Sequence, residues 1–235
     1  MNLFELTKSL MAIPSISGDE AEAGKFLKSY LESLGWKTEI QPVIAERGNV
    51  LATLSENPRI WFSTHMDTVP PFIPPSEDME KIYGRGACDA KGIIAAQIMA
   101  AERLRHEGIE DLGLLFTIEE ERTSEGAKAA NLHPLAANCE YLINGEPTDN
   151  VLAIGSKGTF RLKIKTTGRS AHSAYPEEGD SAIEKLLEIL SDLRGIKFPS
   201  DPFFGETTVN IGTIAGGVAL NVISPQAEAG LAIRL

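Results

Sequence analysis

Hydrophobic and polar positions along the chain change their period several times, and the changes mark out elements. Leu3, Phe4, Leu6, Leu10 and Met11 recur at helical spacing over residues 3–13, and Pro14 stops the pattern. Ser17-Gly-Asp-Glu20 resembles a helix start, and Ala21 to Leu34 reads as a second helix ended by Gly35. Trp36 to Ile40, Asn49 to Leu54 and Arg59 to Thr64 read as strands. Residues 68–83 are Pro-rich, lack periodicity and read as a loop. Ala90 to His106 predicts a helix closed by Gly108. Leu112 to Ile118 predicts a buried strand, Ser124 to Asn131 a helix, and Tyr141 to Asn144 another strand. Strands alternating with helices predict an α/β fold, with a mostly parallel sheet and helices on both faces.

The pattern changes after Asn150. Thr159 to Thr167 alternates apolar and polar with period 2, as a half-exposed antiparallel strand does. Ser181 to Leu193 is an amphipathic helix, and Thr207 to Ile214 and Ala227 to Leu235 are two more alternating strands. This β-α-β-β order is the opening of a ferredoxin-like α/β unit, which needs one more helix and strand to close. Two domains are expected, 1–155 and 156–235, the second incomplete.

The chain has 235 residues, 43% of them hydrophobic and 23% charged, values ordinary for a protein with a real core. Its net charge of −11, from 22 basic and 33 acidic residues, argues against nucleic acid, which needs a basic face. Two distant cysteines, Cys88 and Cys139, give neither a disulfide framework nor zinc-finger spacing. The start carries no secretory pattern, and no apolar run is long enough to span a bilayer. A cytoplasmic protein is expected.

Three predicted strands end in acidic or histidine residues: His65-Met-Asp67, Glu119-Glu120-Glu121, and Glu146 in Gly145-Glu-Pro147. In an open α/β sheet, ligands bind in the crevice at the carboxyl ends of the strands. Asp89, among Gly84, Gly86 and Gly92, sits at the start of the helix from Ala90. It can serve as an N-cap, as a metal-bridging carboxylate, or as both. Carboxylates and an imidazole converging there would repel one another without cations between them, so the pattern reads as a metal site with two metals. An imidazole can ligate through one nitrogen while a carboxylate holds the other; spacing alone does not settle whether Asp67 does this. At least one of the three glutamates should point into the crevice. His172 by itself reads as a surface histidine, His106 as a helix end, and His133 as a loop residue.

Together these segments resemble the dinuclear zinc metallopeptidase family of acetylornithine deacetylase, succinyl-diaminopimelate desuccinylase, aminoacylase and glutamate carboxypeptidase. The specific pieces are Ser63-Thr-His-Met-Asp-Thr-Val69, Gly84-Arg-Gly-Ala-Cys-Asp-Ala-Lys-Gly92, the Glu-Glu pair with Gly126 five residues on, Gly145-Glu-Pro147 and Gly168-Arg-Ser-Ala-His172. The resemblance implies that His65, Asp89, Glu121 and Glu146 ligate metal, with Asp89 bridging. It implies that Asp67 orients His65 and that Glu120 is the general base. It implies that His172, in a lid and dimerisation domain, reaches a partner subunit's substrate carbonyl. Gly216-Gly217 and the Asn221 to Pro225 segment would contact substrate, and Arg234 would bind its carboxylate. Two zinc ions are implied, with cobalt or manganese as substitutes. The implied reaction is hydrolysis of an N-acyl amino acid amide, of the deacetylase and desuccinylase type, by a homodimer. The alternatives are a dipeptidase or carboxypeptidase of the same family, and a non-catalytic metal-binding or dimerisation protein. The family's last metal-ligating histidine has no counterpart in this chain, and Glu119 stands where the family usually has Asp.

Overall fold

In the computed structural model, which describes residues 1–235, the first helices are set by their ends and one apolar face. Helix α1 (Leu3–Ala12) opens with a capping box, in which Asn2 and Glu5 each accept the other's backbone N–H at 3.0 Å. It buries Leu6, Thr7, Leu10 and Met11, one helical stripe. Helix α2 (Ala21–Ser33) buries Ala23, Gly24, Leu27 and Leu31.

The chain divides into two compact units, Met1–Val151 and Leu152–Leu235. In the first follow β1 (Lys37–Ile44), β2 (Arg47–Thr53), β3 (Ile60–His65), the two-residue strands β4 (Ser76–Glu77) and β5 (Ile82–Tyr83), α3 (Lys91–His106), β6 (Leu112–Thr117), α4 (Glu125–Asn131) and β7 (Tyr141–Asn144). The stretch expected as plain loop therefore holds the small β4–β5 pair. The main sheet has the order β1-β2-β6-β3-β7. It is mixed rather than mostly parallel: β1–β2 and β2–β6 are antiparallel, β6–β3 and β3–β7 parallel. The reason is chain length. Only residues 45 and 46 separate β1 from β2, and a parallel return needs a crossover of roughly a dozen residues.

Period-2 alternation sorts the sheet's residues onto two faces. Val50, Ala52, Phe62, Leu114 and Phe116 join Leu6, Leu27, Ile94 and Ile98 in one core with α1, α2 and α3. The other face carries only α4 and the 3₁₀ turn Pro134–Asn138. There Trp61 lies across Gly113, where an added Cβ would come within 2.6 Å of the indole. Helix cover is thus heavy on one face and short on the other, and edge strand β7 leaves Tyr141, Leu142 and Ile143 exposed. In register, His65 of β3 stands beside Thr117 of β6, and Ser63 beside Asn144 of β7. The carboxyl ends of three parallel strands are therefore level, which gathers the segments following them.

The second unit holds β8 (Thr159–Thr167), α5 (Ala182–Gly195), the two-residue strands β9 (Ser200–Asp201) and β10 (Gly205–Glu206), β11 (Thr208–Gly216) and β12 (Gln226–Arg234). β12 lies between β11 and β8, antiparallel to both. Helix α5 starts at Ser181, whose hydroxyl accepts the Glu184 N–H. Its Ala182, Leu186 and Leu190, spaced by four, pack on Ala227, Ala229 and Leu231 of β12. The order matches three strands and one helix of a split β-α-β unit. No helix of the chain is long and apolar enough to cross a membrane.

Candidate metal centre

His65 is the last residue of β3, on the side-chain face of Trp61 and Ser63, and is 1% exposed. Its two nitrogens have different surroundings. Nδ1 is 2.9 Å from the Asp67 carbonyl and 3.4 Å from the Asp67 carboxylate. Nε2 is 2.9 Å from Asp89 Oδ1 and 3.9 Å from Glu146 Oε2. A proton on Nδ1, held by Asp67, leaves Nε2 as the nitrogen that faces the carboxylates and can ligate once it gives up its own proton.

Asp67 is fully buried and turned away from that cluster. Its Oδ2 accepts the Ser17 hydroxyl at 2.7 Å and the Glu121 N–H at 3.1 Å; its Oδ1 accepts the Glu120 N–H at 3.0 Å. Burial opposes its charge, but His65, Ser17 and the two amides outweigh burial and hold the carboxyl below the usual range. Asp89 is not a helix cap. The N-cap of α3 is Ala90, without a side-chain bond, and the Asp89 carboxylate meets His65 instead. Beside it, buried Lys91 donates from Nζ to the Ile13 carbonyl, and burial pushes its pKa down to about 8.

The three glutamates diverge. Glu119, at φ +60, turns its carboxylate back to Arg47 at 2.7 Å. Glu120 is exposed and lines a cavity of about 560 Å³. Glu121 joins the cluster: one donor atom each of His65, Asp89 and Glu121 lie within 4.8 Å of one another. The cavity runs from His65, Glu120 and Glu146 to an apolar wall that includes Trp61, Leu115 and Leu142.

Charge is crowded in this cluster. Burial, then the neighbouring Asp89, push the Glu121 carboxyl up; burial also raises Glu146 despite the counter-pull of His65. Burial disfavours the His65 imidazolium, yet Asp67, Glu146 and Asp89 together raise its pKa to about 9. Carboxylates crowded around an imidazole nitrogen that is already oriented form a donor set suited to a divalent metal.

The turn beyond β6 is fixed in part by Asn49 and Arg47, which the sequence reading did not single out. Asn49 is fully buried; its Oδ1 accepts the Ile118 N–H, and its amide donates to Gln41 and the Gly126 carbonyl. Gly126 passes so close that an added Cβ would lie 2.4 Å from the Ile118 carbonyl oxygen. Glu20, read as part of a helix start, is the N-cap residue of α2, and its side chain is buried against Arg47. No spacing in the sequence connects residues 17–20, 47–49 and 119; the β2–β6 pairing joins the last two, and the Ile16–Thr68 bridge and the Arg47–Glu20 ion pair bring in the first.

In the second unit, His172 is exposed, bridges to Val222, and accepts the Ala174 N–H at Nδ1. Asn221 is its neighbour, since the Ser173 N–H donates to the Asn221 carbonyl. Arg234 lies at the other end of β12, beside Thr159, whose hydroxyl it contacts. That end is roughly 26 Å along the strand from Gln226, at about 3.3 Å per residue. His172 and Asn221 are thus brought together, and Arg234 is not with them. His133 accepts the Leu135 N–H before Pro134, His106 ends α3 exposed, and the two cysteines are unpaired.

Residues 154–235 match the family model of a peptidase dimerisation domain. The whole chain is 44% identical to a peptidase M20 domain-containing protein of Schizosaccharomyces pombe, of which it covers 60%. It is 38% identical, over 99% of its length, to a probable carboxypeptidase of Aspergillus clavatus, covering 58% of that protein. The chain spans about three fifths of the length of these curated relatives. In fold it is similar to an M20 family metallo-carboxypeptidase of Sulfolobus solfataricus, with a TM-score of 0.77 at 18% identity, over all of this chain and 71% of that one.

Proposed function

The chain belongs to the M20 metallopeptidase family, and on that premise we propose that its first unit carries the metal-dependent hydrolysis of an amide bond in a short peptide or N-acyl amino acid. The observation that carries this reading is the convergence of His65, Asp89 and Glu121 within 4.8 Å, with Glu146 3.9 Å from His65, at a cavity wall shared with Glu120. His65, Asp89, Glu121 and Glu146 would hold two divalent metals, zinc first. Such a pair, when bound, polarises an amide carbonyl and activates water.

The remaining steps belong to the chain's own side chains. Glu120, the one glutamate of the three open to the cavity, takes a proton from the attacking water and delivers it to the amide nitrogen as the C–N bond breaks. A carboxylate and a free amine result. Asp67 keeps the proton on His65 Nδ1. In the second unit His172 and Asn221, placed side by side, would contact substrate, and the dimerisation-domain match supports pairing of two copies through this unit. Arg234 is left out of that set by its position.

Within the family, similarity to probable carboxypeptidases weighs toward carboxypeptidase action on a short peptide. Release of an acyl group from an amino acid, of the acetylornithine deacetylase or desuccinylase type, uses the same amide chemistry. Both are tested together. The chain is stripped with chelator, zinc is restored, and amine release is followed from a panel of dipeptides, N-acetylornithine and N-succinyl-diaminopimelate. Zinc-dependent release from one class identifies the substrate. A chain that binds zinc and cleaves nothing across the panel would remove the hydrolase reading.

A further inference from the structure

Beneath the turn that carries Glu120 and Glu121 lies a buried ionic triad. Arg47 Nη1 is 2.7 Å from Glu20 Oε2 and 2.7 Å from Glu119 Oε1. The three side chains are 15%, 0% and 7% exposed, respectively. Two carboxylates share one guanidinium, so the group holds a net negative charge away from water. Removing ions from water is costly, and an apolar trio of similar volume often supports a fold as well or better. Stability alone therefore does not account for this choice of residues.

What the triad touches does account for it. Glu119 has a left-handed backbone, uncommon for a residue other than glycine. Its side chain is anchored to Arg47, and its own N–H is taken by Glu20 Oε1 at 3.3 Å. Its carbonyl accepts the N–H groups of Thr123 and Ser124, at 3.2 and 2.7 Å. Because Glu119 leaves the helical and extended regions here, the next two residues part company: Glu120 faces the cavity and Glu121 the metal cluster. Asp67 grips the same turn from the other side through the Glu120 and Glu121 amides.

We propose that Glu20, Arg47 and Glu119 are positioning residues, which hold the left-handed turn at Glu119 so that Glu121 meets the metal cluster while Glu120 faces the cavity. This inference rests on the reading of Glu120 and Glu121 given above. None of the three touches substrate or metal; they act through the backbone. A ligand or base displaced by about 1 Å can lose on the order of 10²-fold in rate, so a rigid anchor one residue upstream is worth its desolvation cost.

The test uses the whole 235-residue chain and cobalt(II) as the probe, read by its visible absorption and by titration. Arg47→Met removes the shared charge and keeps an unbranched stem. Glu119→Gln keeps an acceptor oxygen toward Arg47. Arg47→Met, folded by far-UV circular dichroism, should bind cobalt about 10- to 100-fold more weakly, as expected for loss of a residue behind a ligand, and with an altered spectrum. Turnover should fall through kcat with little change in KM. Glu119→Gln should keep the parent's spectrum and affinity. If Arg47→Met does not fold, Glu20→Gln carries the test, because it retains one acceptor oxygen and loses the other; its affinity should also fall. A folded Arg47→Met or Glu20→Gln with the parent's cobalt spectrum and affinity overturns the positioning role. A parent chain that binds no cobalt overturns the metal reading itself, and the triad's role with it, a result separable from any variant's.

Discussion

The carboxylate of Asp67 accepts the backbone N–H of Glu120 at 3.0 Å, and so ties the end of β3 to the turn after β6. The same side chain accepts the Glu121 N–H and the Ser17 hydroxyl. One buried group thus fixes the orientation of His65 and the approach of Glu121. Asp67→Asn offers one oxygen where three donors now point, and sets its NH₂ against at least one of them. A buried donor left without an acceptor costs about 1–3 kcal/mol. Thermal unfolding of the metal-free chain should show that loss, and metal affinity should drop about 10- to 100-fold. An Asn variant with the parent's affinity would show that Asp67 does not organise the cluster.

Much of this centre was legible in the sequence, because the ligand-bearing segments follow strands, and strand ends in a parallel sheet are level. His65 and Glu121 meet as that pattern requires, and Asp89 joins them from the segment that leads into α3. The β1–β2–β6 antiparallel half was not legible, since two separate extended segments do not announce the two-residue turn that joins them. The resemblance separated Glu120 from Glu121, but the spacing of residues did not show the partition of Glu119, Glu120 and Glu121 among three destinations, for another reason. A single left-handed residue breaks the strand's alternation, and its anchors, Arg47 and Glu20, lie 72 and 99 residues away along the chain. The resemblance implied substrate contact for both Asn221 and Arg234, but a nine-residue strand separates their ends of the sheet.

Glu120 is the group whose loss should stop turnover and spare binding. Its side chain is exposed on the cavity wall, and only its backbone N–H takes part in the turn's bonding to Asp67. Glu120→Gln preserves shape and that N–H and removes the proton acceptor. Hydrolysis should fall by about 10²- to 10⁴-fold, the usual share of general acid–base catalysis, while zinc stoichiometry stays at the parent's value by elemental analysis. Loss of zinc together with activity would instead place Glu120 among the ligands.

Protonation of His65 links pH to both stability and metal. Its pKa is raised from 6.5 to about 9 in the metal-free chain, against burial, by Asp67, Glu146 and Asp89. A raised folded-state pKa adds stability that is fully present below pH 6.5 and is lost as pH climbs through about 9. Metal binding needs the neutral imidazole, so it releases this proton and strengthens over the same window. Metal-free protein should therefore lose thermal stability between pH 6.5 and 9 while its zinc affinity rises, and His65→Gln should flatten the stability profile. Zinc affinity unchanged across that range would mean that His65 carries no proton to displace.

Gly126 gives the sharpest test of how tightly the turn is built. An alanine Cβ there would lie 2.4 Å from the Ile118 carbonyl oxygen, 2.6 Å from the Ile118 nitrogen and 2.6 Å from Asn49 Oδ1. Two of these are backbone atoms at the end of β6, so neither can rotate aside. The third belongs to a side chain whose bonds to Ile118, Gln41 and Gly126 would break if it moved. Overpacking of this kind costs about 1–3 kcal/mol, and the displaced segment leads directly to Glu119, Glu120 and Glu121. Gly126→Ala should lower the melting temperature and weaken metal binding together. Gly195→Ala, at the end of α5 with nothing within 4 Å of the new methyl, should do neither. If the first unit of Gly126→Ala melts earlier but binds metal as the parent does, the turn tolerates displacement and the ligands are held by other contacts.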